Sequence, residues 1–294
     1  MTLSQLYQAV VKFGISRDPR RGKRITGYPD TALLYGSPRT RIKKILVGID
    51  IEAPELLLAD RLRSRQGLDL VIAHHPEGKA LLELFKVMQL QVDMLAKLGV
   101  KRRVAQALLE ERQREVERKL LPGNHMRSVD AARLLDMPFM CAHTPADNHV
   151  AHFLQQLVDK KRPRTVQELL DLLGKIPEYL EAARNGAGPR VIAGSPGRKT
   201  GKIFVEMTGG TEGSKEAFVP LRNAGVRTLV GMHLSEEHLK KVKETSLNVV
   251  IAGHISSDTL GLNLLLDRVE HLAGMSFDTI AVSGFRRIRR VHPQ

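Results

Sequence analysis

The apolar residues of this chain fall into short runs that end in a polar or charged residue, and this pattern predicts a series of buried β-strands. The clearest run lies in residues 69–76, where the β-branched Val71 and Ile72 stand in the middle and Pro76 stops further pairing. A run that is apolar on both faces is typical of a parallel strand between two layers. Further runs of this kind occupy residues 44–50, 138–143, 190–193, 203–207, 228–233 and 248–254.

Stretches with a helical repeat of apolar residues alternate with these strands. Helices are predicted in residues 1–13, 53–67, 79–98, 104–121, 129–135, 150–184 with a basic break at 160–164, 214–224, 235–245 and 259–272. Because strands and helices alternate, the chain is predicted to be an α/β protein with mixed or parallel sheets flanked by helices.

Polar residues with candidate chemistry, described below, come from both halves of the chain, so we expect the chain to close on itself around a shared cleft. An N-terminal α/β lobe is expected over residues 1–150 and includes a long helical pair at 79–121. A helical, basic connector is expected over 151–189, and a C-terminal α/β lobe over 190–294 that completes the site. A chain of 294 residues is long enough for this arrangement.

Composition excludes several classes of protein. The chain has one cysteine, Cys141, which excludes an internal disulfide or a cysteine-rich metal cage and suits buried packing in a strand. No apolar run approaches the ~20 residues of a membrane span. The first thirteen residues lack the pattern of a signal peptide, so we expect a cytoplasmic protein.

The chain is strongly basic, with a formal net charge of +14. Such an excess attracts phosphate-bearing partners, and nucleic acid is a possible partner. Aromatic residues that would stack bases are not interleaved with the basic clusters, so a solvated, charge-rich surface explains them equally well. The clusters lie at residues 20–24, 39–44, 101–103, 160–164 and 286–290.

The candidate chemistry lies at the strand ends, where histidines recur. His74 and His75 diverge by alternation, so each can hold its own metal, or one can be a ligand and the other a hydrogen-bonding neighbour. Ligands gather at the carboxyl ends of parallel strands, so side chains at several strand ends can share one crevice. The other strand-end groups are His143 with Asp147 four residues later, His233, and His254 with Asp258 four residues later. This convergence predicts a metal site.

For Asp258 alone, an alternative is that it caps the helix predicted from residue 259.

These motifs, His74-His75-Pro76, His143 to Asp147, and Gly253-His254 to Asp258, resemble in type and order the Nif-three-like family, also labelled GTP cyclohydrolase type 2. The resemblance covers most of the chain. It implies a dinuclear metal centre in a two-lobed α/β fold that assembles as a toroidal homohexamer. The ligands that it implies are His74, His75, Asp147, His254 and Asp258, with His143 close by. The family usually has Glu where this chain has Asp258, whose side chain is one methylene shorter.

Imidazole and carboxylate ligands without thiolate suit two divalent ions of Zn, Mn, Fe or Ni and do not decide among them. Two metals roughly 3.5–4 Å apart can activate a bridging water as hydroxide. His143, His233 or His238 can then shuttle the proton, or support the ligands instead. The expected function is a metal-dependent hydrolase acting on a phosphorylated or nucleotide-like substrate. A non-catalytic metal-binding or partner-binding scaffold and a nucleic-acid-binding protein are the alternatives.

Overall fold

The computed structural model of this chain describes residues 1–20 and 24–290, so residues 21–23 of the basic cluster at 20–24 lie outside it. Its strands are β1 (Thr31–Tyr35), β2 (Lys44–Gly48), β3 (Leu70–Ala73), β4 (Phe139–Ala142), β5 (Arg190–Ala193), β6 (Lys202–Glu206), β7 (Val226–Gly231), β8 (Asn248–Ile251) and β9 (Asp278–Val282). Its α-helices are α1 (Leu3–Arg17), α2 (Ala53–Gln66), α3 (Lys79–Leu82), α4 (Leu84–Val87), α5 (Gln89–Leu98), α6 (Arg102–Leu120), α7 (Arg127–Leu134), α8 (Thr144–Lys161), α9 (Val166–Leu173), α10 (Pro177–Arg184), α11 (Phe218–Asn223), α12 (Glu236–Lys243) and α13 (His254–Ala273).

The strands form two sheets in which most neighbours are parallel. The first sheet has five strands in the order β1-β4-β3-β2-β9, and only the edge strand β1 runs antiparallel to its neighbour. The second sheet has four strands in the order β5-β8-β7-β6, with β5 antiparallel at its edge. All four residues of β3 and of β4 are buried, as their apolar sequences predict. The predicted α/β class with mixed sheets and flanking helices is confirmed.

Two long helices, α8 and α13, belong to the cores of both sheets. Ala146 of α8 and Leu265 of α13 pack in the core of the first sheet, which also contains α1. Leu154 of α8 and Leu264 of α13 pack in the core of the second sheet. The two helices touch at Gly261, where an added Cβ would lie 2.5 Å from the carbonyl oxygen of Ala146. The N-terminal ends of both helices are therefore held between the sheets.

Helices α5 and α6 also connect distant parts of the chain. We expected residues 79–121 within the N-terminal lobe, and the boundaries of the lobes stay a prediction. The buried side chains of these helices, such as Leu95 and Leu109, share a core with Phe204 and Leu229 of the second sheet. The helical pair is therefore a layer on the second sheet. Within the described residues, no helix combines the length and apolar composition that crossing a membrane requires.

Several element boundaries differ from the predicted ones. Helix α8 begins at Thr144 instead of 150, and α13 begins at His254 instead of 259. Asp258 consequently lies inside α13, and the alternative that it caps a helix at 259 is wrong. The cap of α13 is Gly253, whose φ of 111° favours glycine. The edge strands β1 and β9 were not predicted, because they are short and mostly only partly buried.

We expect the substitution Gly261→Ala to destabilise the protein by about 1–3 kcal/mol, because the new methyl group meets the backbone of α8. The matched control is Gly197→Ala, where an added Cβ meets nothing within 4 Å, and it should have little effect. Urea unfolding of both variants measures the difference. Equal stability of the two variants would show that α8 and α13 can move apart at this contact without a loss in the free energy of unfolding.

Candidate metal centre

Four histidines and two aspartates meet where β3 and β4 end and where α8 and α13 begin. The strands contribute histidines directly after their last residues, and the helices contribute carboxylates from their first two turns. The six residues are His74, His75, His143, Asp147, His254 and Asp258. The structure thus brings together the five residues that the resemblance implies as ligands, together with His143.

Helix geometry explains the two His-Asp pairs with a spacing of four residues. Residues four apart on an α-helix lie on the same face. His254 and Asp258 both lie on α13, with Nε2 of the histidine 3.5 Å from Oδ2 of the aspartate. His143 caps α8 and its Nε2 lies 3.7 Å from Oδ2 of Asp147. The positive N-terminal ends of the two helices also favour carboxylates here.

Asp258 lies at the middle of the cluster and is 1% exposed. Its Oδ1 is 3.4 Å from Nε2 of His74, and its Oδ2 is 3.5 Å from Nε2 of both His75 and His254. The two oxygens of one carboxylate therefore face two different groups of imidazoles. The short side chain reaches both groups, because the helix begins early enough to bring its backbone close.

Hydrogen bonds fix the direction of three imidazole rings. Nδ1 of His74 donates to the carbonyl oxygen of Ala142 at 3.2 Å. Nδ1 of His75 bonds Oδ1 of Asp50 at 2.6 Å, and Nδ1 of His143 bonds Oδ2 of Asp30 at 2.8 Å. A carbonyl or carboxylate oxygen only accepts, so Nδ1 carries the proton and a neutral ring presents its Nε2 lone pair to the centre. This is the tautomer that metal-ligating histidines use.

The atoms that face the centre lack partners. Among the described residues, Nε2 of His74, Oδ1 of Asp147 and both oxygens of Asp258 are buried without a hydrogen bond. Buried polar atoms are rarely left unpaired, and carboxylates facing imidazole lone pairs repel unless a cation lies between them. The donor set therefore fits a metal ion.

The electrostatics point to the same conclusion. Burial lowers the pKa of His74, but the carboxylates of Asp258 and Asp147 outweigh burial and raise the pKa to about 10. Burial raises the pKa of Asp258, but His74 and its neighbouring imidazoles hold the pKa well below its usual range. The pocket strongly favours positive charge at Nε2 of His74, which either a proton or a metal ion can supply.

Three groups of these residues can hold a metal ion, and within each group the ligand atoms lie within 4.8 Å of one another. They are His74, Asp147 and Asp258; His75, His254 and Asp258; and His74, His75 and His143. Nitrogen and carboxylate oxygen donors without sulfur suit a borderline divalent ion.

His233 and His238, the other two histidines predicted to move protons, lie beside a carboxylate that the sequence did not identify. Nδ1 of His233 is 3.3 Å from Oε1 of Glu212, and its ring stacks edge-on with His254 at 4.9 Å. Burial raises the pKa of Glu212, but His233 and His238 outweigh burial and lower it to about 2. Both ring nitrogens of His238 are hydrogen-bonded, one to Ser235 and one to the carbonyl oxygen of Gly213.

Sequence reasoning missed two supporting carboxylates of the site. Asp30 is fully buried and also accepts from Thr144, but it precedes the unpredicted strand β1, so the sequence offered no signal. Glu212 lies in a glycine-rich loop that has no periodic pattern. The sequence did indicate Asp50, because this residue follows the apolar run that forms β2, and β2 pairs with β3.

Several solved structures are similar to this chain over almost its whole length. A NIF3 superfamily protein from Sphaerobacter thermophilus is 28% identical, with a TM-score of 0.77 over 94% of this chain and 97% of that one. Reduced HcgD from Methanocaldococcus jannaschii is 17% identical, with a TM-score of 0.54 over 96% of this chain and 97% of that one. A protein from Thermus thermophilus is 14% identical, with a TM-score of 0.53 over 96% of this chain and 98% of that one. The last two show the fold alone.

No family model matches the sequence, and no curated protein matches it either. The fold and the clustered imidazoles and carboxylates support a metal-binding protein. The chain is similar to a NIF3 superfamily protein of known structure, which agrees with the resemblance of its ordered motifs.

We expect Asp258→Asn to lower metal content more than any other single Asp→Asn change, because one oxygen of this carboxylate faces each of two ligand groups. Elemental analysis of protein purified without chelator measures the effect. The control is Asp171→Asn, an exposed position on α9 whose side chain accepts a hydrogen bond from Gln167. Wild-type metal content in the Asp258→Asn variant would show that Asp258 is not a ligand.

Proposed function

We propose that this chain is a dinuclear metal-dependent hydrolase that acts on a phosphorylated or nucleotide-like substrate. The observation that supports two ions instead of one is the position of Asp258, whose oxygens lie 3.4 Å and 3.5 Å from imidazoles of two separate groups. A single ion beside one group of imidazoles would leave the imidazoles of the other group, and the Asp258 oxygen that faces them, without a cation.

Each proposed ion has its own ligands and shares one carboxylate. His74, Asp147 and Asp258 would hold one ion, and His75, His254 and Asp258 would hold the other. Asp50 and Asp30 would keep the rings of His75 and His143 in the orientation that ligation needs. The donor set suits Zn²⁺, Mn²⁺, Fe²⁺ or Ni²⁺.

When bound, such a pair of ions lowers the pKa of a water between them and so supplies a nucleophile near neutral pH. The chain must then provide a proton for the leaving group. His233 is the best placed of the three histidines, since its side chain is 44% exposed beside His254 and Glu212 fixes its Nδ1. His143 is tied to Asp30 and His238 is bonded at both nitrogens, so we assign these two a supporting role.

The nucleic-acid alternative finds less support at the basic cluster 286–290. Arg287 pairs with Asp267 at 2.5 Å and Glu270 at 2.8 Å, and Arg290 pairs with Glu178 at 2.9 Å. These charges attach the C-terminal segment to α13 and α10, so they are already neutralised. The homohexamer that the resemblance implies stays a prediction.

The test is hydrolysis of a panel of phosphomonoesters, phosphodiesters and nucleotides by protein purified without chelator. We expect turnover that is lost with EDTA and restored by a divalent ion. The variant His233→Gln should lower kcat about 10²-fold or more with unchanged metal content, because it removes the proton donor and no ligand. The control is His271→Gln, an exposed position at the far end of α13.

Two results would contradict this account in different ways. Metal-loaded protein that is inert toward the whole panel would favour the non-catalytic metal-binding scaffold. Full kcat in the His233→Gln variant would exclude His233 as the proton donor while leaving the hydrolase intact.

A further inference from the structure

A pocket extends from the metal centre toward the second sheet. One end is bounded by His254 and Asp258, which belong to the candidate centre. The other end is apolar, and its side chains come from the core that joins the second sheet to α11. These side chains are Ala217, Phe218, Leu221, Leu229, Val249 and Ile251.

One wall of the pocket is the loop after β6, and contacts with α5 hold that loop in place. Nε2 of Gln91 donates to the carbonyl oxygens of Gly209 at 2.9 Å and Thr211 at 2.7 Å. Gly209 has a φ of 104°, and a Cβ there would lie 2.8 Å from the Gln91 side chain. The wall is therefore formed before any ligand arrives, which favours binding by shape.

The charge of this pocket is unlike that of the chain as a whole. No Lys or Arg lines it in the part of the chain that the structure describes, despite the net charge of +14. Apart from the groups of the centre and its histidines, the ionisable lining residues are Glu206 and Glu212. Burial, reinforced by the charge of Glu212, raises the pKa of Glu206 to about 7. The pocket thus already resists a second negative charge.

We propose that this pocket selects a substrate that presents an uncharged, largely apolar group beside the cleaved bond and no anionic group beyond the one at the metal centre. Removing an apolar group from water is favourable at the inner end. A further phosphate or carboxylate in the pocket would face the carboxylates of Glu206 and Glu212 in surroundings of low dielectric, with no Lys or Arg among the described lining residues. Phosphate esters of a neutral ring therefore fit the pocket, and nucleoside triphosphates do not. This inference rests on the proposed metal centre.

The test compares three hydroxamic acids that share one metal-binding head, using the full-length metal-loaded protein and calorimetry. Acetohydroxamic acid carries a methyl group, benzohydroxamic acid a phenyl ring, and 4-carboxybenzohydroxamic acid a ring with an added charge. We expect the phenyl compound to bind about tenfold or more tightly than the methyl compound. The carboxylated ring should bind at least about tenfold more weakly than the plain ring.

Each contrary outcome separates the pocket from the metal centre. Equal binding of the methyl and phenyl compounds, or tightest binding of the carboxylated ring, overturns the pocket inference and leaves the metal centre standing. Acetohydroxamic acid that binds loaded and metal-free protein equally overturns the proposed function, and the pocket inference with it.

A substitution provides an independent check. Leu234 lines the pocket and packs on the core only partly buried, so Leu234→Lys adds a cation to the lining without replacing a fully buried side chain. This variant should bind the carboxylated ring more tightly than wild type does. The control is Leu239→Lys, a partly buried position that packs on the same core outside the pocket lining. An unchanged preference in Leu234→Lys overturns the inference.

Discussion

The buried negative charge of Asp258 is the constraint on which this structure depends. An ionised carboxylate inside a protein is costly unless cations or hydrogen bonds compensate it, and within the described residues neither oxygen of Asp258 has a hydrogen-bond partner. The groups that face it are three imidazoles at 3.4–3.5 Å, two that follow β3 and one on α13 itself. His74 and His75 donate through Nδ1 elsewhere, so in their neutral form they present lone pairs to this carboxylate, and a proton or a metal ion at the centre would compensate its charge.

This requirement explains why α8 and α13 occupy the middle of the fold. Both helices direct their N-terminal ends, which carry a partial positive charge, toward the centre. Both also contribute side chains to the two cores, so a shift of either helix would disturb both sheets. The contact between Gly261 and the backbone of Ala146 fixes their separation. The two sheets, through the helices that they share, thus hold one charged site.

The histidines at strand ends could be predicted from the sequence, because a buried parallel strand is a strong local pattern and its carboxyl end is a known position for ligands. The start of α13 could not, since Gly253 supplies a backbone conformation that no periodicity reveals, and Ser256 and Ser257 interrupt the apolar repeat. Asp30 and Glu212 reach the site by tertiary contacts over more than a hundred residues and over a glycine-rich loop respectively. Local patterns identified the ligand types, while the supporting carboxylates depend on the folded chain.

The most direct test of the shared carboxylate is anomalous diffraction from crystals grown with Mn²⁺ or Zn²⁺ and without chelator, with data collected at the absorption edge of the metal. The account predicts two peaks on opposite sides of Asp258, one beside His74 and Asp147 and the other beside His75 and His254. A single peak, or no peak in contact with the Asp258 carboxylate, would contradict it.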